Sequence, residues 1–136
     1  MTVAPGALPA AALSDPPAPV DPEIAALPGA RGFWMTDAEY GRVYVVSVGP
    51  ARPPVEPTVF LVHGLGTAGM RDWYTVLPPL AEHRRVVMFD LPGFGRSAQA
   101  NVKYGPARYA AVLSRVIERY GPGPADVIGH SMGGAI

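Results

Sequence analysis

From Gly32 onward the apolar residues fall into short runs separated by glycine- and proline-rich turns. Phe33-Trp34-Met35 predicts a short strand. The β-branched run Arg42-Val43-Tyr44-Val45-Val46-Ser47-Val48 predicts a second, paired with the first as a hairpin through Asp37 to Gly41. Thr58-Val59-Phe60-Leu61-Val62 and Arg85-Val86-Val87-Met88-Phe89 are nearly unbroken apolar runs, the mark of strands buried on both faces. Asp126-Val127-Ile128 predicts a last strand. Between these runs the period changes to that of a helix. Tyr109, Leu113, Val116, Ile117 and Tyr120 share one face of a helix that Pro106 starts and Gly121 stops. Asp72 to Glu82 has a weaker helical spacing through Trp73, Val76, Leu77 and Leu80, which Pro78-Pro79 interrupts.

Strands alternating with helices at this spacing imply βαβ units, so the fold class is α/β, a mostly parallel sheet after an antiparallel opening hairpin. Two regions are expected: residues 1–31 as a disordered or extended arm dispensable for chemistry, and residues 32–136 as a partial α/β domain. Seven of the chain's 17 prolines lie in the first thirty residues, and alanine, which buries little, supplies much of the apolar content there. The stretch Pro50 to Pro57 reads as a loop.

Composition narrows the function classes. The chain has 136 residues with 11 basic and 11 acidic side chains and no basic cluster, which argues against nucleic acid and anionic membranes as partners. Cysteine is absent, which excludes a disulfide framework and thiolate metal sites. Prolines 5, 9, 16, 17 and 19 break every candidate leader sequence, and no run approaches the ~18 apolar residues of a membrane span. A cytoplasmic protein is expected.

Three motifs each follow an apolar strand. His63-Gly64-Leu65-Gly66 follows the third, Asp90-Leu91-Pro92-Gly93-Phe94-Gly95-Arg96-Ser97 the fourth, and Gly129-His130-Ser131-Met132-Gly133-Gly134 the fifth. A GxSxG sequence places serine on a sharp strand-to-helix turn whose flanking glycines leave room where two backbones nearly touch. In this order the motifs resemble the α/β-hydrolase superfamily, in particular its serine esterase, C-C hydrolase and peptidase-like members, over about residues 32–136. The resemblance implies Ser131 as nucleophile and the backbone amides of Leu65 and Met132 as oxyanion donors. His63, Gly64, Gly129 and Gly133 would support the two loops. A serine nucleophile argues against the branches that use aspartate.

The remaining chemistry-bearing residues have plainer roles. His130 is adjacent to the serine, and neighbouring strand side chains point to opposite faces, so it is not expected to be the base. His63 is expected to order its own loop and His83 to be solvated. Asp90 precedes the serine, whereas the family's order is serine, acid, histidine, so it is expected to hold its turn. Trp73, Tyr74 and Phe94 are expected in the core rather than in a pocket.

A complete member of the family needs eight strands and well over about 200 residues. The sequence therefore reads as an N-terminal portion without the acid and histidine of a triad, and its last strand is expected to present an unpaired apolar edge. The expected reaction is serine attack on an ester, thioester, amide or activated C-C bond of a small-molecule acyl substrate, with no metal or organic cofactor. The alternative is an inert truncated product, or a half-domain that needs a separate C-terminal piece as partner.

Overall fold

A computed structural model describes residues 8–50 and 56–136. The arm residues 1–7 and most of the expected loop at Pro50 to Pro57 lie outside the described residues.

Among the described residues, six strands form one sheet in the order β1-β2-β3-β5-β4-β6. After a single helical turn α1 (Ala10–Leu13) come β1 (Pro17–Ala18) and α2 (Pro22–Ala25), then β2 (Arg31–Asp37) and β3 (Gly41–Val48). The chain continues through β4 (Thr58–Val62), α3 (Leu77–Ala81), β5 (Val86–Phe89), α4 (Pro106–Tyr120) and β6 (Ala125–Gly129). Strands β1, β2, β3 and β5 pair antiparallel, whereas β4 runs parallel to both β5 and β6. The turn of the β2–β3 hairpin is held by Asp37, whose Oδ1 accepts the amides of Glu39 and Tyr40 at 2.9 and 3.0 Å.

The period-2 alternation of the strands divides the core in two. Phe33, Val43, Val45, Phe60, Val62, Val87 and Phe89 face α4, meeting its Tyr109, Val112, Leu113, Val116 and Tyr120. Tyr44, Val46, Val48, Val59, Leu61, Val86 and Met88 face the opposite layer, built from α2, α3 and the 3-10 turn Gly69–Trp73. The expected helix over Asp72 to Glu82 is thus two short pieces. Pro78 and Pro79 sit in the first turn of α3, where the missing amides leave no bond unmade, so they open that helix rather than break it. Gly121 ends α4 in extended backbone, and a β-carbon there would fall 3.0 Å from the Phe60 ring, so close packing on β4 requires it.

The arm departs from expectation. Residues 8–30 are ordered and wrap the sheet edge: α1 packs Leu8 and Ala12 on the α4 face, β1 pairs with β2, and α2 buries Ile24 in the other layer. Proline composition suggested a disordered or extended segment, and here prolines occupy an extended edge strand and the first position of α2, where their fixed φ and missing donor cost nothing. Asp15 adds a polar anchor, accepting from Arg119 Nε, Arg119 Nη2 and Tyr120 Oη at 2.5–2.6 Å.

Strand β6 lies at the sheet edge and bonds only to β4 among the described residues. Its Val127 and Ile128 are 47 and 43% exposed, unlike the buried Val59, Phe60, Leu61 and Val62 of β4 beside it. No helix among the described residues is long and apolar enough to cross a membrane.

Candidate active site

Strands β4, β5 and β6 run parallel, so their carboxyl ends, and the three motifs that follow them, gather on one side of the sheet. At the end of β6 His130 is still extended and donates its amide to the Val62 carbonyl at 3.0 Å. Ser131 then turns abruptly. Its φ of 53° makes it the only non-glycine residue with positive φ among the described residues, and a 3-10 turn, Ser131–Ala135, follows at once. Such left-handed backbone is costly for a residue with a β-carbon and persists only where the surroundings enforce it.

The enforcement comes from glycines. A β-carbon on Gly129 would lie 2.4 Å from the Gly133 carbonyl oxygen, and one on Gly133 would lie 2.2 Å from that of Val62. Strand, turn and neighbouring strand therefore meet backbone to backbone. Gly64 completes the close approach from the other loop, since a β-carbon there would fall 3.0 Å from Ser131 Cβ and 3.2 Å from His130 Nδ1. The serine side chain is thereby set against the glycine-rich segment that carries Leu65. Residues 65–68 are exposed, Leu65 at 72%, while Met132 packs partly buried on the α4 side of the core.

His63 is fully buried, and both ring nitrogens are engaged. Nε2 accepts the Leu91 amide at 2.9 Å, and Nδ1 faces the Gly64 carbonyl at 2.7 Å, an arrangement that requires the Nδ1–H tautomer. It ties the loop after β4 to the turn after β5 and leaves no free nitrogen for proton transfer. His83 is exposed. His130 is exposed too, 3.9 Å from Asp72 Oδ2 and edge-on to Trp73.

Asp90, nearly buried, spans the same two loops. Its Oδ1 accepts the Met70 amide at 2.8 Å and its Oδ2 the Arg96 amide at 2.9 Å. The carboxylate rests on Gly69 and Gly95, both with positive φ, where any β-carbon would collide with it. Burial pushes its carboxyl above the ordinary 3.8, opposed by those two amides. Phe94 packs edge-on to His63 at 5.2 Å, and Trp73 and Tyr74 pack against the other core layer.

The sequence did not mark Asp21, which the fold brings to the rim of this site. A signal was present: Asp15, Asp21 and Glu23 are acids in a segment with no basic residue before Arg31. Two clefts, of about 390 and 360 Å³, lie along the arm, α4 and β2, and Ser131 lines neither.

Ser131 thus sits in strained backbone at the tip of a parallel strand, against a glycine-rich loop from the adjacent strand. The chain belongs to the alpha/beta hydrolase fold family, whose sequence profile matches residues 57–136. It is 39% identical over 94 residues to the magnesium-chelatase 30 kDa subunit of Rhodobacter capsulatus, covering 68% of this chain and 32% of that protein. It is 32% identical over 111 residues to a 2-hydroxy-6-oxo-2,4-heptadienoate hydrolase of Pseudomonas putida, covering 74 and 38%. Among solved structures, Cfl2 from Burkholderia cenocepacia superposes with a TM-score of 0.70 at 31% identity, covering 84% of this chain and 36% of that one. The thioesterase domain of the curacin biosynthetic pathway gives 0.65 at 30%, covering 77 and 36%. The chain thus spans about a third of the length of these relatives.

Proposed function

We propose that this chain is the N-terminal portion of a serine-dependent α/β hydrolase that cleaves an ester, thioester, amide or activated C-C bond of a small acyl substrate. The observation that carries this reading is the φ of 53° at Ser131, strain that the packing of Gly64, Gly129 and Gly133 sustains at that one position. In the proposed reaction Ser131 Oγ attacks the substrate carbonyl, forming a tetrahedral oxyanion held by the Leu65 and Met132 amides. Collapse expels the leaving group and gives an acyl-enzyme, which water then hydrolyses. Each oxyanion donor of this kind contributes about 2.7–4 kcal/mol to the transition state. The general base is assigned to sequence outside these 136 residues, because His63 has both nitrogens occupied and His83 and His130 are exposed. The names of relatives support the class: one is a 2-hydroxy-6-oxo-2,4-heptadienoate hydrolase and another a thioesterase domain.

A second reading is a half-domain that is inert without a separate C-terminal piece. The exposure of Val127 and Ile128 on β6 favours it.

Labelling with a fluorophosphonate separates the two. Serine-dependent chemistry predicts an adduct on Ser131, slow without a base, but well above that on the exposed Ser14 and Ser114 and absent in Ser131→Ala. Equal reactivity of the three serines overturns the first reading for this chain and leaves the second.

A further inference from the structure

The N-terminal segment reaches the loops around Ser131 through the carboxylate of Asp21, with the exposed Glu23–Arg71 pair beside it. Asp21 occupies the N-cap position of α2, yet its side chain makes no capping hydrogen bond. It turns outward and accepts from Tyr74 Oη at 2.8 Å and Arg96 Nη2 at 2.6 Å. Tyr74 closes the 3-10 turn through which the loop after β4 returns, and Arg96 belongs to the turn after β5. These are the segments that Asp90 joins from inside through the Met70 and Arg96 amides. Two carboxylates therefore span one gap, the inner from the sheet and the outer from the arm.

The arm end is itself held. Arg96 Nη1 donates to Tyr44 Oη at 3.0 Å, and that hydroxyl donates to the Pro19 carbonyl at 2.5 Å. Only 14% of the Asp21 side chain is exposed. The Tyr74 hydrogen bond, reinforced by Arg96 against the opposing effect of burial, keeps its carboxyl below the ordinary range, so it is an anion at neutral pH. The neighbouring Arg71–Glu23 pair, more than half exposed on both sides, adds little.

The segment needing such support is Gly64 to Gly69. It holds three glycines, and residues 65–68 are exposed, so no core side chain fixes its path and its position is set at its ends. His63 secures one end, Met70 and Tyr74 the other.

We infer that Asp21 is a positioning residue, which through Tyr74 and Arg96 fixes the loop carrying Leu65 against the turn after β5 and so sets the Leu65 amide relative to Ser131. This rests on the reading of Leu65 as an oxyanion donor. Displacing a reacting group by about 1 Å is enough to slow such chemistry about a hundredfold.

Hydrogen exchange on the full 136-residue chain tests the clamp independently of reactivity. Asp21→Asn is expected to speed amide exchange in residues 64–74 and 93–97 by about tenfold or more, the effect of losing hydrogen bonds to a charged group, with α4 and β3 to β5 unchanged. Tyr74→Phe, which removes a single hydroxyl, should loosen only the first segment, and Arg96→Gln the second. Faster exchange confined to residues 10–30 in Asp21→Asn, or none, overturns the inference; so does a Tyr74→Phe variant with an unaltered first segment. Fluorophosphonate labelling supplies the second readout. Asp21→Asn should lower the maximal labelling rate of Ser131 about tenfold with little change in the half-saturating reagent concentration. An unchanged rate overturns the positioning role. A wild-type Ser131 that does not react instead overturns the serine reading, while exchange still decides the clamp.

Discussion

Gly133 packs against the last residue of β4 so tightly that a β-carbon would lie 2.2 Å from the Val62 carbonyl oxygen. Gly133→Ala must therefore push the Ser131–Ala135 turn away from the sheet. Overpacking of this kind costs about 1–3 kcal/mol, and here the strain acts directly on the serine backbone. Gly134→Ala is the control, since its nearest atom would be 3.6 Å away, an ordinary contact. Urea unfolding should show a clear loss for Gly133→Ala and a change within about 0.5 kcal/mol for Gly134→Ala.

The arm makes a second prediction. Ile24 is 1% exposed, and burying an isoleucine contributes about 1.5–3 kcal/mol. Asp15, held by Arg119 and Tyr120, ties α1 to α4. A chain beginning at Arg31 should lose both and melt at lower temperature. Asp15→Asn alone should cost about 1–2 kcal/mol, discounted for the partial exposure of Arg119. A truncated chain with the full-length melting temperature would show that the arm's contacts add nothing to the stability of the fold.

Strands β4 and β5 are legible in the sequence because buried strands leave unbroken apolar runs, β2, β3 and β6 through shorter apolar or β-branched runs between turns, and the helix α4 because its buried face recurs at helical spacing. The tight turn at Ser131 is legible because close backbone approach demands glycine at fixed offsets around it. What is not legible is pairing over long separations. Asp15, Asp21 and Glu23 are the acids of a segment without basic residues before Arg31, and they bond to Arg119, Arg96 and Arg71. Composition announces the imbalance but not the partners, because Asp21 is 53 residues from Tyr74 and 75 from Arg96. Proline content misleads there for a related reason: it measures lost donors, whereas docking depends on a few side chains such as Ile24.

Acidification should weaken the fold partly through Asp37. Burial opposes ionisation of this carboxyl, but Arg115 and the amides of Tyr40 and Glu39 outweigh it and bring it below the ordinary 3.8. The folded state thus binds this proton less readily than the unfolded chain, so the contribution is present above pH 3.8 and is lost as pH falls through the lower folded value. Asp21 acts with the same sign. Asp90 acts oppositely, because its raised carboxyl costs stability once ionised and that cost is relieved in acid. Urea midpoints measured between about pH 5 and pH 2 should fall steeply for the wild type and less steeply for Asp37→Asn. Equal slopes would show that the Arg115 pair does not couple to folding.

The last prediction concerns β6. Val127 pairs in register with Phe60 and Ile128 with Leu61, so the two side chains project to opposite faces of the sheet. Both are nearly half exposed, and the outer edge of β6 pairs with no strand among the described residues. An exposed apolar edge strand is a template for pairing with another chain. Replacing both residues with threonine keeps the β-branched shape and removes apolar surface that contributes little to the core. Stability should change by no more than about 0.5 kcal/mol per site. Self-association, followed by light scattering as concentration rises, should fall in the double variant. If it does not, the surface that drives association lies elsewhere, and β6 is an edge that the chain tolerates in water.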